Sequence, residues 1–164
     1  MKRPILIIAM LSLLTTAYAE HFKFLGIPID GDITTFEKVL LAKGFALDGK
    51  PNSAVEKYYK GKFSGNKVSL YVKIASKSNV VSSVTVVYEK MKSTSWIAEE
   101  SKRLDDLIKS EYTVNDIDEY GDFTIYYVDN CGKLYVFQLP DRIMLKYVDI
   151  ENHKLLEPEK HNGI

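Results

Sequence analysis

Alternating hydrophobic and polar residues predict antiparallel strands in two groups, each preceded by a helix. Val68, Leu70, Val72 and Ile74 alternate with polar residues, as expected for a strand with one buried face. Similar patterns predict strands over 56–64, 80–89, 123–128, 133–139 and 143–148. Short turns between the strands favour an α+β layer structure over parallel winding. We therefore expect two helix-plus-antiparallel-strand halves, with the helices packed on one face of the sheet.

The first helix is predicted to follow a turn near residue 31. Hydrophobic residues recur there at helical spacing, at Ile33, Phe36, Val39 and Leu40. Thr34 and Glu37 fit a capping box, and Asp32 is an alternative N-cap. Gly44 can adopt the left-handed conformation that ends a helix, so that Phe45 packs back on Leu40.

The second helix is predicted over 93–111. Ile97, Leu104 and Ile108 share one helical face, and Trp96 is expected in the core because aromatic side chains bury a large area. The acidic residues of this helix are interpreted as a solvated face.

Residues 129–132 predict a hairpin loop that places Cys131 at the surface.

The first 19 residues have the three parts of a secretory signal peptide. Lys2 and Arg3 precede an apolar run over 5–14, and Ala17 and Ala19 fit a cleavage site. The apolar run is shorter than the ~20 residues of a membrane span. We predict a mature chain that starts at Glu20 and is exported to the periplasm or beyond the cell. It would form a single domain over 20–164 with a loose polar tail from about residue 151, and no membrane span would remain.

Composition limits the functions that the mature chain could have. Removal of 19 of the 164 residues leaves 145, with 20 basic and 22 acidic residues. This balance argues against a general nucleic-acid binder. Cys131 is the single cysteine, so the chain forms no internal disulfide and depends on packing for its stability.

No constellation of residues in the sequence predicts catalysis, a cofactor or a metal. His21, His153 and His161 lie near the chain ends without metal-ligand spacing and are interpreted as surface residues. Asp30 and Asp32 provide too few oxygen ligands for a calcium loop. We therefore predict a protein that is not an enzyme and that needs no cofactor.

Charge and aromatic residues give two signals for binding. Lysines dominate residues 50–77, whereas no basic residue occurs between Glu111 and Asn130. Strand periodicity places lysines and tyrosines of the first two strands on one solvent-facing side, and we predict a binding surface there. Its residues would be Tyr58, Lys60, Lys62, Tyr71 and Lys73. The alternatives are a solvated face that binds nothing and a surface on the later aromatic strands around Tyr126 and Tyr135.

Segments along most of the mature chain carry a resemblance to a known group. These are residues 24–31 (FLGIPIDG), Phe36, Leu40 and residues 43–45, and later residues 61–65, residues 147–149 and Asn152. In these the chain resembles small exported proteins of Bacteroides-type bacteria. The group has no established activity, so the resemblance implies export and a fold but assigns no functional residue. The helix-plus-sheet layout is also similar to that of β-lactamase-inhibitor proteins, a fold-level analogy.

Together these observations predict an exported, non-catalytic binding or interaction module. Its partner would be a protein or an envelope polymer. The alternative is a hydrolase-like enzyme of the cell envelope, whose site would be assembled from scattered carboxylates and tyrosines. A deep cleft with convergent titratable groups would favour the enzyme, whereas a shallow sheet face would favour the binding module.

The first testable prediction is cleavage between Ala19 and Glu20, because small residues at positions −1 and −3, Ala19 and Ala17, fit signal peptidase. N-terminal sequencing of the protein recovered from the cell envelope or medium should begin at Glu20. Recovery of a chain that still carries Met1 would contradict the predicted export.

Overall fold

The computed structural model describes residues 21–29, 31–49, 53–89 and 93–156. The helices in these ranges are α1 (Ile33–Ala42), α2 (Thr94–Glu111) and α3 (Ile150–Lys154). The strands are β1 (Lys23–Phe24), β2 (Ile27–Pro28), β3 (Ala46–Leu47), β4 (Glu56–Phe63), β5 (Asn66–Ala75), β6 (Val80–Tyr88), β7 (Val114–Tyr120), β8 (Phe123–Val128), β9 (Gly132–Leu139) and β10 (Arg142–Asp149). The predicted signal peptide, Asp30 and residues 157–164 lie outside the described residues.

Eight of the strands form one antiparallel sheet, which confirms the predicted α+β class. The strand order is β3-β4-β5-β6-β10-β9-β8-β7, while β1 and β2 form a separate hairpin. The two halves of the chain meet where β6 pairs with β10, with Val84 opposite Tyr147. Each half consists of a helix followed by four strands of this sheet, where the sequence had indicated about three.

Strand β7 is one of the elements that the sequence patterns do not predict. Its sequence, VNDIDEY, lacks a regular alternation of hydrophobic residues, and its register with β8 shifts between Val114 and Asp116. β7 is an edge strand that pairs only with β8 in the sheet. Acidic side chains on an edge strand oppose pairing with other sheets, which explains why a genuine strand carries such a polar sequence.

The two faces of the sheet differ in burial. One face contributes fully buried side chains such as Tyr59, Leu70 and Val84 to the hydrophobic core. The same core contains Leu40 from α1 and Leu104 from α2. We name the other face, whose side chains are mostly half-buried or exposed, the exposed face. It runs from Tyr58 and Tyr71 through Lys146 to Asp118 at the far edge.

Helix α1 does not begin with the predicted capping box, but it ends as predicted. The capping box is wrong: Asp32 is the N-cap residue, without a side-chain cap hydrogen bond. Glu37 instead accepts hydrogen bonds from Lys57 at 2.7 Å and from the Tyr59 hydroxyl at 3.1 Å, which ties α1 to β4. The predicted ending is confirmed: Gly44 has a φ of +88°. The Gly44 and Phe45 amides donate to carbonyls of the last helical turn, as in a Schellman motif.

Two hairpins turn at residues with left-handed backbone. Ser64 and Gly65 have φ of 50° and 85°, so this turn lies one residue earlier than the predicted Gly65–Asn66 turn. Asp129 and Asn130 have φ of 51° and 54°, which confirms the predicted loop between β8 and β9. Cys131 lies in that loop, half-buried and packed against the core.

An ion pair between the buried Glu100 and the more exposed Arg103 joins α2 to the first of these hairpins. Glu100 is only 6% exposed, so the predicted solvated face is wrong at this position. Its carboxylate accepts from Arg103 Nε at 2.7 Å and from Asn66 Nδ2 at 3.1 Å. Arg103 also donates to the Ser64 hydroxyl at 2.6 Å. Because all carboxylate oxygens are paired, the burial of this charge is compensated.

The chain end is ordered further than the sequence predicts. A loose tail was expected from about residue 151, but residues 151–154 belong to α3. Asp149 caps this helix by accepting from the Asn152 amide at 2.9 Å. The buried Asn152 side chain donates to the Ile29 and Val81 carbonyls at 2.6 and 3.1 Å. These hydrogen bonds fix the polar segment to the core.

We predict that Gly44→Val destabilises the protein by about 1–3 kcal/mol, because a β-branched residue would be forced into a left-handed backbone. Thermal or urea unfolding measures the change. Gly49→Val is the matched control, since Gly49 is exposed, has no positive φ and would meet no neighbouring atom. Equal midpoints for both variants would contradict the observed helix ending.

We also predict that Asp149→Ala costs about 2–4 kcal/mol in the free energy of unfolding, because the buried amides of Phe22 and Asn152 lose their acceptor. Urea unfolding measures this cost. Glu151→Ala, which removes an exposed carboxylate of α3, should change stability by less than about 0.5 kcal/mol. A small effect at Asp149 would show that these bonds do not hold the chain end.

Candidate functional site

The exposed face consists of transverse rows of side chains that cross seven strands. Register pairs place Tyr58 beside Tyr71 and Lys146 beside Tyr135. The complete row, in strand order, is Tyr58, Tyr71, Thr85, Lys146, Tyr135, Ile125 and Asp118. A neighbouring row consists of Lys60, Ser69, Val87, Met144, Phe137, Phe123 and Tyr120. Most side chains of the two rows are hydrophobic or aromatic, with Lys146 at the centre and Lys60 and Asp118 on the outer strands.

Four of the five residues predicted to bind are close together on this face. Tyr58 and Tyr71 are directly opposite each other, with their rings in an edge-on contact at 5.2 Å between centroids. Lys60 lies two residues along β4 from Tyr58, in the next row, and Lys73 lies opposite Glu56 in the row on the other side of the two tyrosines. Lys62 is the exception. It lies at the hairpin end of β4, about 13 Å along the strand from Tyr58, where it lines a hollow with Lys43 and Phe45.

Two of the predicted residues are already engaged by carboxylates. Lys60 forms a salt bridge with Asp48 at 3.0 Å. The Tyr58 hydroxyl donates to Glu56 at 2.8 Å, and this hydrogen bond to a carboxylate raises the pKa of Tyr58. Lys73 has no ion pair among the described residues. A partner would therefore find Lys73 more available than Lys60.

The centre of the exposed face contains residues that the sequence did not identify as one surface. Lys146 and Met144 come from β10, and Tyr135 and Phe137 come from β9. The Tyr135 and Phe137 rings are stacked at 6.2 Å and 9°. The sequence patterns assign Tyr135 to a separate, alternative binding surface on the later strands. Because β10 pairs with β6, these residues join the tyrosines of the first half on one continuous face.

Lys146 lies at this centre, and Lys73, two strands away, lies opposite Glu56. Partial burial, and then the nearby Lys73 ammonium, lower the pKa of Lys146. Partial burial also lowers the pKa of His153, and the charges of Lys146 and Lys73 lower it further. The His153 side chain is exposed, in agreement with its interpretation as a surface residue.

The opposite edge of the exposed face is acidic. Asp116 and Asp118 lie on β7, and Asp118 accepts from the Tyr127 hydroxyl at 2.9 Å. The Lys133 ammonium lies 4.8 Å from the centre of the Tyr127 ring. The charge asymmetry of the sequence therefore becomes a spatial one, with lysines on β4 and β5 and carboxylates on β7 at the two sides of the same sheet.

A second candidate lies at the C-terminal end of α2, where several hollows adjoin. One of about 420 Å³ is lined by residues that include His21, Glu111 and Asp129. His21 Nδ1 lies 3.0 Å from the carboxylate of Asp149, which is 1% exposed. Asp149 also accepts from two backbone amides, so the arrangement holds the start of the described chain against β10. A neighbouring hollow of about 150 Å³ is mostly apolar, lined by residues such as Leu104, Ile108 and Tyr147.

The described residues contain neither a group of side chains that could hold a metal ion nor a helix that could cross a bilayer. No three His, Cys, Asp or Glu side chains in this part of the chain are grouped so that they could hold a metal ion. Over the same residues, no helix combines the length and the hydrophobicity that crossing a bilayer requires.

Comparison of the chain with protein-family models, with curated proteins and with solved structures finds no match. The resemblance to small exported proteins of Bacteroides-type bacteria, and the fold analogy with β-lactamase-inhibitor proteins, therefore stay predictions.

Proposed function

We propose that this protein is an exported, non-catalytic binding module that holds a protein partner across the exposed face of its sheet. The observation that carries the proposal is the continuity of the face, on which tyrosines of both halves lie in one register row with Lys146. Tyrosine gives a large contact area at a low cost in conformational entropy. We further propose that α1 and α2 cover the opposite face and leave this one for the partner.

The size of the exposed face favours a macromolecule over a small ligand. The six spacings between these seven strands span about 30 Å across the face. A stable protein interface buries about 800 Å² on each partner, and a macromolecule can contact a face of this width whereas a small ligand cannot. Half-buried aromatic residues such as Tyr135 and Phe137, with the charged Lys60 and Asp118 on the outer strands, resemble the apolar area and polar rim of such an interface.

The alternative proposal is a hydrolase-like enzyme of the cell envelope. Its supporting observation is the hollow that His21, Glu111 and Asp129 line, with the His21–Asp149 pair beside it. The same pair has a structural explanation, because Asp149 also fixes two backbone amides. We therefore prefer the exposed face as the functional surface.

The experiment compares capture of partners by the mature protein and by a face variant, in which Tyr58, Lys60, Tyr71 and Lys73 are all replaced by Ser. We expect the variant to fold, because these side chains lie outside the buried core, and to lose capture of the protein that the wild type retains from envelope extract. Circular dichroism and a thermal melt check the fold. Mass spectrometry identifies the captured protein.

A control variant replaces Lys38 on α1 and Lys102 on α2 by Ser, two exposed lysines of helices. It should capture the partner as the wild type does. Capture that persists in the folded face variant would contradict the proposal. Loss of capture in the control variant alone would place the binding surface on the helices.

A further inference from the structure

A mostly apolar cavity of about 150 Å³ lies at the C-terminal end of α2, and we name it the α2 cavity. Leu104 and Ile108 of α2, Leu145 and Tyr147 of β10, and Phe63 of β4 are among its lining residues. None of the residues that line it belongs to the two register rows of the exposed face. An apolar cavity of about 150 Å³ can hold one benzene ring. The α2 cavity therefore has room for a small apolar group.

The turn between β1 and β2 contributes a residue in a strained conformation to the α2 cavity. Leu25 and Gly26 form a two-residue hairpin turn, with φ of 52° and 73°. Asparagine or glycine suits the first position of such a turn, whereas leucine is strained there. The other described non-glycine residues with positive φ are serine, asparagine or aspartate. The half-buried Leu25 side chain lines the α2 cavity, and backbone strain of this kind is concentrated at functional sites.

Glu111 is the charged residue that lines the α2 cavity. It is the last residue of α2, where the helix dipole concentrates negative charge, so a cation is favoured beside it. No salt bridge joins Glu111 to a cation in the part of the chain that the structure describes. Lys23, Lys43 and Lys62 line the two adjoining hollows, which Glu111 also lines, but they do not line the cavity itself.

Three aromatic side chains line the α2 cavity together with this carboxylate. They are Phe63, Tyr112 and Tyr147. Tyr112 directly follows Glu111, and its hydroxyl donates to the Lys23 carbonyl at 2.9 Å, which ties the end of α2 to β1. Aromatic rings attract ammonium groups, and alkylated ammonium ions are often recognised by aromatic side chains. The lining therefore combines an apolar space with groups that favour a cation.

We propose that the α2 cavity binds a small organic ammonium ion, an alkylamine or arylamine. The apolar body of the ligand occupies the cavity, and its ammonium group lies against the Glu111 carboxylate. A neutral molecule of the same shape lacks this ion pair, and an anion is repelled by Glu111. The site goes beyond the proposed function and does not depend on it, because the exposed face and the α2 cavity share no residue of the two rows.

The test titrates the mature protein with benzylamine, benzyl alcohol and benzoate, which share a phenyl ring and differ in charge. Two-dimensional NMR follows the backbone amides, at concentrations up to about 10 mM, which cover the affinity of so small a ligand. We expect benzylamine to shift amides of the last turn of α2 and of Leu145 and Tyr147 on β10. Benzyl alcohol should bind about tenfold more weakly, because it makes no charged contact. Benzoate should cause no shifts there.

Variants separate the contribution of the carboxylate from that of the apolar space. Glu111→Gln should weaken benzylamine binding about tenfold and leave benzyl alcohol binding unchanged. Leu107→Phe, which fills part of the cavity, and Leu25→Asn, which suits the turn but removes an apolar lining group, should weaken binding of both probes. Leu41→Phe and Leu41→Asn, at an exposed leucine of α1, are the matched controls and should change neither affinity. If Leu107→Phe fails to fold, Glu111→Gln and Leu25→Asn test the same site.

Several outcomes would overturn the ammonium site. One is the absence of amide shifts with benzylamine. Another is equal affinity for benzylamine and benzyl alcohol that Glu111→Gln does not change, since the cavity would then not select a cation. Binding of benzoate in place of benzylamine would assign the site to anions, with Lys43 and Lys62 as their partners. Loss of benzylamine binding in the folded face variant would place the amine on the exposed face. Capture of the protein partner is a separate measurement, so the proposed function stands or fails independently.

Discussion

The pairing of β6 with β10 is the contact on which the rest of the structure depends. Residues from the end of the first half and the end of the second half meet there, with Val84 opposite Tyr147 in the core and Thr85 opposite Lys146 on the exposed face. This pairing joins two four-stranded units into one sheet. It buries hydrophobic side chains of both halves together, and burial of such area is the largest favourable contribution to folding. Without it, each unit would expose an unpaired central strand.

The same pairing determines the electrostatics of the exposed face. Lysines of β4 and β5 and carboxylates of β7 are far apart in the sequence and lie on opposite sides of the sheet. Between them, Lys146 is flanked by strands from both halves. The formal net charge of the chain is zero, yet the face has a basic side and an acidic side. A partner would thus be oriented by charge and held by aromatic contacts at the centre.

Polar contacts outside the sheet fix the elements that hydrophobic burial alone would leave loose. Glu37 joins α1 to Lys57 and Tyr59, and Glu100 with Arg103 joins α2 to the β4–β5 hairpin. Asp149 holds both the start of the described chain and α3. Each of these carboxylates has its oxygens paired, as buried acceptors require. They act as specific attachments between elements, whereas the core provides the bulk of the stability.

Local sequence determined the elements whose signals are local. Alternation specified β5, β6 and β8–β10, helical spacing specified both long helices, and Gly44 specified the end of α1, because each depends on near neighbours. The polar β7 and the helix at 150–154 were not predicted, since β8 and Asp149 hold them. The strand period correctly placed Tyr58, Lys60, Tyr71 and Lys73 on one face. Only the tertiary structure joined Lys146 and Tyr135 to them, because the order of strands depends on contacts between distant residues.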